Sequence, residues 1–180
     1  PQGEWERFQW WPVAWAILTL ISAPYLHLVC MIAQSLAVVA HKWVIMGKIK
    51  ANHAYTIMGS FMARWIFIFR MTTSLDGLWL WPFDESEVTS ILYRLMGAKI
   101  GKNVRIGHIG APDFDVLSYE DGVHIGASVA LYCHNFGHGV LTFKPVHVGA
   151  NTVIYGYSAV LPGTTFGRGT VVGPMSMLLP

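Results

Sequence analysis

Apolar residues recur every sixth position through the last part of the chain. Val148, Ile154, Val160, Phe166 and Val172 lead five unbroken blocks, and four positions later each block carries a small hydroxyl: Thr152, Ser158, Thr164, Thr170 and Ser176. Glycine follows the lead residue at Gly149, Gly167 and Gly173. A helix repeats at about 3.6 residues and a strand at about 2, so neither makes this pattern. A period of six, with one large and one small inward residue, predicts a parallel β-helix of hexapeptides. The large residue fills the coil and the small one sits where the chain turns a corner. Weaker blocks come earlier: Ile100-Gly101 with Val104, Ile106-Gly107, Tyr119-Glu120 with Val123, Ile125-Gly126 with Val129, and Leu131 with Asn135. Residues 110–116 and 137–147 break the register and are expected as loops on one face. Roughly three coils of three blocks are predicted.

The first half follows another pattern. Val13 to Ala40 holds no Asp, Glu, Lys or Arg, which exceeds the roughly 20 apolar residues that cross a bilayer. Pro24 would kink a helix there, and membrane helices tolerate this. Trp5, Trp10, Trp11 and Trp15 gather at its start and Trp43 lies past its end, as in an interfacial aromatic belt. A second apolar run, Ala54 to Leu75, carries Arg64 and Arg70. It either packs Arg64 inside the protein or lies along the interface. Residues 1–80 are therefore predicted as a membrane-embedded helical hairpin, against the alternative of two buried helices in a soluble domain. Residues 81–98 read as a linker ending in a short cap at Tyr93 to Ala98. Residues 99–180 form the β-helix, with its loop at 137–147, in the adjoining aqueous compartment.

Composition adds little to this. The chain is 53% hydrophobic and 12% charged. A net charge of +2 gives no reason to expect nucleic acid as a partner. Lys42, Lys48 and Lys50, and beyond the second run Arg94, Lys99, Lys102 and Arg105, are placed to face anionic lipid head groups. Two cysteines, Cys30 and Cys133, make no disulfide framework. A start at Pro1 without Met and a stop at Pro180 after a complete block read as a segment of something longer.

The candidate base is His134. With Leu131 inward and Asn135 at the corner, His134 points outward at the mouth of the 137–147 loop. Stacking three blocks per coil sets Gly163 beside it, with no side chain to cover it. Asp113-Phe114-Asp115 on the coil below comes near, and a carboxylate would fix the imidazole tautomer and stabilise its protonated form. The opposing reading is a polar surface histidine. Cys133 alternates to the other face and reads as a small buried hydrophobe. His108, His124, His134, His138 and His147 invite a metal test against the zinc-binding solenoids of the γ-type carbonic anhydrases, but His134 and His138 are four apart rather than five, and no metal site is expected. His27, inside the first apolar run, fits a hydrogen bond to a neighbour better than a haem or chlorophyll ligand.

The run from Val129 to Pro180 resembles the hexapeptide-repeat acyltransferases, through Tyr132-Cys133-His134-Asn135, a loop, Pro145-Val146-His147-Val148-Gly149, and Leu161-Pro162-Gly163. The resemblance implies a left-handed coil. It implies that His134 deprotonates an amine or hydroxyl acceptor, with Asp113 or Asp115 as its orienter. It implies an acyl thioester, on coenzyme A or on the phosphopantetheine of a carrier protein, lying along the final coils past Gly156, Gly163 and Gly173. More narrowly, Leu95-Met96-Gly97-Ala98-Lys99-Ile100-Gly101, Pro112-Asp113 and Gly173-Pro174-Met175-Ser176 look like the carboxy-terminal modules of ε-poly-lysine-synthetase-like peptide synthetases, where membrane helix pairs alternate with solenoids. Pro174 departs from the common pattern because it removes a backbone donor, which points away from free coenzyme A and toward a carrier. The leading expectation is a membrane-anchored acyltransferase-like module whose partners are the lipid bilayer, a carrier protein and further subunits. Its rival is a non-catalytic accessory subunit of a larger membrane complex, with the β-helix as docking surface.

Overall fold

The computed structural model describes residues 3–107 and 113–180, with side chains from Trp10 onward in the first helix. His108, Pro112 and the first part of the 110–116 loop lie outside the described residues. Helix α1 (Gly3–His41) passes through Pro12 and Pro24 unbroken and runs into a π-helical turn, Lys42–Met46. Strand β1 (Ala54–Thr56) leads to α2 (Ser60–Leu75), which ends in a second π turn at Asp76–Leu80. A 3-10 turn (Trp81–Phe83) connects to α3 (Glu87–Leu95).

The solenoid strands are short, as a six-residue repeat requires. They are β2 (Lys99–Ile100), β3 (Arg105–Ile106), β4 (Leu117–Tyr119), β5 (His124–Ile125) and β6 (Ala130–Leu131). A hairpin follows, β7 (His134–Gly137) and β8 (Val140–Phe143). Then come β9 (Val146–Val148), β10 (Val153–Ile154), β11 (Ala159–Val160), β12 (Thr165–Phe166), β13 (Val171–Val172) and β14 (Met177–Leu178). They stack in parallel on three faces, in the orders β12-β9-β4-β2, β13-β10-β5-β3 and β14-β11-β6. Three coils are complete, and β2 with β3 begin a fourth beneath them. Ala159 and Val160 pair with Ala130 and Leu131, so the blocks at 131 and 160 lie on adjacent coils of one face, as their spacing predicts.

The repeat has a plain physical basis. Val148, Ile154 and Val160 are fully buried, and the small positions Thr152 and Ser158 are buried with them. The hydroxyl of Thr152 donates to the Gly167 carbonyl at 3.0 Å and that of Ser158 to Gly173 at 3.1 Å, so neither is left unpaired inside the coil. At Gly149 glycine follows the lead residue because the next coil passes close above. A Cβ on Gly149 would lie 2.8 Å from the Phe166 carbonyl oxygen. Every corner also turns through the left-handed region: Asn151, Tyr157, Gly163, Gly169 and Met175 all have positive φ, six residues apart.

Helix α3 closes the bottom of the stack. Ser86 caps it by accepting from the Val88 amide at 3.2 Å. Ser90 Oγ donates to the Val104 carbonyl at 2.8 Å, and Arg94 Nε to that of Ile100 at 3.1 Å. The cap therefore starts at Glu87 rather than at Tyr93, because its first turn already packs on the first coil.

Helices α1 and α2 run antiparallel. Arg64 meets the Ile45 carbonyl at 3.3 Å, Gln34 meets Ser74 at 3.3 Å, and His27 Nε2 donates to the Trp79 carbonyl at 3.0 Å. The hairpin differs from the sequence expectation in three respects. The second apolar run opens as a strand, with β1 pairing antiparallel to β8. Trp65, Ile68, Thr72 and Leu75 of α2 are buried against protein rather than lipid, and Trp65, Ile68 and Leu75 join one continuous cluster with the solenoid core. Lys42 is fully buried rather than facing lipid head groups. Among the described residues, only Trp10–Met46 is long and apolar enough to cross a membrane, on length and composition alone.

Candidate functional site

The chain leaves the solenoid after Cys133, which points inward and is buried. It returns where the Lys144 amide donates to the Cys133 carbonyl at 2.7 Å. The excursion is thus a hairpin from His134 to Phe143, earlier than the expected loop 137–147, and residues 146–147 already belong to β9. Asn135 consequently does not take a corner. It is exposed on β7, opposite Thr142.

His134 opens β7 and faces back toward the coil below. Its Nδ1 lies 2.6 Å from Asp113 Oδ2. A carboxylate only accepts, so Nδ1 carries a proton, and in the neutral ring Nε2 keeps its lone pair. Asp113 is itself buried and tightly held. Its Oδ2 also accepts from the Cys133 amide at 3.2 Å, and its Oδ1 from Trp65 Nε1 at 3.1 Å. Aromatic rings surround the imidazole: Trp65 at 4.9 Å, Phe136 at 5.5 Å, Tyr132 at 5.7 Å and Phe143 at 6.4 Å between centroids. Tyr132 and Phe136 are exposed, and the His134 side chain keeps 11% of its surface accessible. Nε2 has no hydrogen-bond partner among the described residues. The arrangement can accept a proton at Nε2 and stabilise the resulting imidazolium through Asp113.

Asp115 does not serve here. The 3-10 turn Phe114–Val116 sends the two carboxylates apart. Asp115 Oδ1 binds Lys42 Nζ at 2.9 Å and Oδ2 accepts from the Ile49 amide at 2.9 Å, with both side chains of the ion pair essentially inaccessible. One turn therefore ties the solenoid to both helices, through Asp113 to α2 and through Asp115 to the end of α1.

No His134 atom is among the three nearest to a Cβ built on any of the three glycines. Gly163 is a glycine because its corner has φ +93°, and a Cβ there would meet Lys144 and Pro180. Gly156 is closed over by the neighbouring coil, 2.7 Å from the Ala127 carbonyl oxygen to a built Cβ. Gly173, on the last coil, has open space above it, with Ser176 Oγ the nearest atom at 3.9 Å.

Cys133 is not a nucleophile candidate. Burial pushes its thiol well above the usual range, and the nearby Asp113 charge adds to this. His124 and His147 lie 3.3 Å from Glu85 and 3.5 Å from Glu120, while His138 sits in the β7–β8 turn with positive φ. Among the described residues, no three His, Cys, Asp or Glu side chains converge on one point.

Sequence reasoning missed Trp65 and Lys42. The signal for the first was present: Phe61, Trp65, Ile68, Thr72 and Leu75 form a stripe at helical spacing. It marked a packed face, but not what the face packs on. No comparable pattern singled out Lys42 among the basic residues between the two runs.

No protein-family model matches this chain. It is 34% identical over 106 residues to proteins from Staphylococcus aureus strains COL, MSSA476 and MW2, each named a "Putative acetyltransferase". The match covers 54% of this chain and 49% of each relative, so the chain spans about half the length of the curated relatives it matches. Among solved structures it is similar to a maltose O-acetyltransferase from Clostridium difficile 630, with 17% identity, a TM-score of 0.44, and coverage of 78% of this chain and 89% of that one.

Proposed function

We propose that the chain transfers an acyl group from a thioester to an amine or hydroxyl at His134, in a protein held to a membrane by α1. The observation that carries this is the 2.6 Å contact between His134 Nδ1 and the buried Asp113, with Nε2 turned to an aromatic rim. Nε2 takes the acceptor's proton as the acceptor nitrogen or oxygen bonds to the acyl carbon. The carbon–sulfur bond breaks, and the imidazolium returns its proton to the departing thiolate. Asp113 holds the ring in the tautomer this needs. The bound thioester supplies the activated acyl carbon, carried by coenzyme A or by the phosphopantetheine of a carrier protein. The coil surface at Gly173 would take its chain, while Gly156 and Gly163 are packed by the fold. The similarity to proteins named as acetyltransferases supports the reaction class. The resemblance to hexapeptide-repeat acyltransferases supports a coil of the left-handed type, and the finer likeness to ε-poly-lysine-synthetase-like modules favours a carrier-borne donor.

Membrane attachment rests on α1. Leu20, Ile21 and Tyr25 are largely exposed, as are Trp10, Trp11 and Trp15 nearer its start. A helix satisfies its own backbone, so lipid can cover this surface at no hydrogen-bonding cost. The site belongs in the adjoining aqueous compartment, and further subunits of an assembly would meet the β-helix.

The test uses the full chain in detergent, an acyl thioester and a panel of amines and alcohols. Release of free thiol should require both an acceptor and His134. Thiol release equal to the uncatalysed rate with every donor, including carrier-borne ones, would favour the rival reading of a docking subunit.

A further inference from the structure

The carboxylate that orients His134 is held from outside the solenoid. Of the three donors to Asp113, His134 and the Cys133 amide belong to the solenoid and its hairpin, and both reach Oδ2. Among the described residues, Oδ1 accepts only from the indole of Trp65, at 3.1 Å. Trp65 stands on α2, 48 residues before Asp113 in sequence. It is buried, stacked on Phe69 at 5.8 Å and set edge-on to Phe136 at 6.1 Å and Phe143 at 6.5 Å. Its orientation is fixed by these rings and by α2, which in turn is fixed against α1.

We propose that Trp65 is a positioning residue for the His134–Asp113 pair, so that the site is complete only when α2 is docked on the solenoid. This rests on the proposed acyl transfer for its catalytic reading, but the geometry it claims is independent of it. A carboxylate held on one oxygen alone can rotate about its Cβ–Cγ bond. Oδ2 then no longer faces Nδ1, and the imidazole loses the partner that selects its Nδ1–H tautomer. Holding both oxygens removes that freedom before the acceptor arrives, which is how a positioning group lowers a barrier. The helical half then contributes to the reaction as well as to attachment.

The experiment compares the parent, Trp65→Phe, Asp113→Asn and the double variant, all as the full chain in detergent. Phenylalanine keeps an aromatic ring on α2 and removes the N–H together with the pyrrole part of the indole, so the double variant separates loss of the hydrogen bond from loss of packing. Nitrogen-15 NMR on histidine-labelled protein, with the His134 signals identified by their loss in His134→Gln, reads the tautomer directly. Trp65→Phe should convert a single Nδ1–H tautomer into a mixture and lower kcat about tenfold with KM for the thioester little changed. In the Asp113→Asn background the same change should add nothing further, because it acts through that carboxylate. An unaltered tautomer, or losses that multiply in the double variant, would overturn the proposal. Should Trp65→Phe fold poorly, the indole N–H signal of Trp65 in Asp113→Asn gives the answer from the other side: it must move, and a fixed signal refutes the contact. Retained transfer in His134→Gln would instead remove the proposed function and leave the tautomer result standing.

Discussion

Lys42→Met should cost this protein a large part of its stability. Lys42 Nζ and Asp115 Oδ1 are 2.9 Å apart with side chains 0% and 1% exposed. At an effective dielectric of about 20 their direct attraction is about 6 kcal/mol, opposed by the desolvation of both charges. Removing one partner leaves the other buried, and such losses run to about 3–5 kcal/mol. Methionine keeps most of the side chain's length, so the effect is mainly one of charge. Asp115 would retain only the Ile49 amide as a donor. For a chain of this length, about 3–5 kcal/mol lowers Tm by about 10 °C. Thermal unfolding followed by tryptophan fluorescence in detergent measures it. The double variant Lys42→Met with Asp115→Asn should be less damaged than the sum of the single variants, because it strands no charge. A single-variant Tm within about 1 °C of the parent would refute the reasoning, as would strict additivity of the two losses. Since the same turn carries Asp113, Lys42→Met should also slow acyl transfer.

Other expectations follow from the coil itself. Ile154→Ala empties a fully buried position between two coils and should cost about 3 kcal/mol by chemical denaturation; a loss under about 1 kcal/mol would mean the coil collapses to fill the space. Met175→Gly relieves a left-handed corner whose side chain is exposed, φ +56°, and should leave Tm unchanged or raise it by a degree or two, not lower it. Tyr119 and Cys133 are both buried, and burial raises each well above its ordinary value. Their contribution to stability is therefore complete below the unfolded values, near pH 9–10, and is lost as pH rises beyond them. The denaturation midpoint should fall above about pH 9, and Tyr119→Phe should flatten that fall. Iodoacetamide at neutral pH should leave Cys133 unmodified until the protein unfolds.

Much of the solenoid was legible because a six-residue repeat forces its own geometry. Val148, Ile154 and Val160 had to point inward, and Leu131 had to pair with Val160 once three blocks made a coil. At Gly163 two demands give the same residue. A glycine at the third position after the lead can leave room for a neighbour, or it can satisfy a positive φ. The other corners carry Asn151, Tyr157, Gly169 and Met175 at the same phase, which shows the second demand at work. The hairpin was displaced by three residues because Asn135 imitates a corner residue, while Cys133 is the last to point inward. The choice between Asp113 and Asp115 was open to sequence only as an alternative. It is decided by Trp65 and Lys42, which arrive from distant segments and leave no periodic trace. A solenoid's own register is local information; what docks against its side is not.

The central claim is that His134, polarised by Asp113, removes the acceptor's proton. The most direct measurement is the rate of acceptor-dependent thiol release by the full chain and by His134→Gln, at equal thioester, with matched circular dichroism spectra. The glutamine variant keeps a polar side chain near the Asp113 carboxylate but has no basic nitrogen. The account predicts a fall of about 10²- to 10⁴-fold, the usual contribution of a positioned base. Transfer at the parental rate by the folded variant would contradict it.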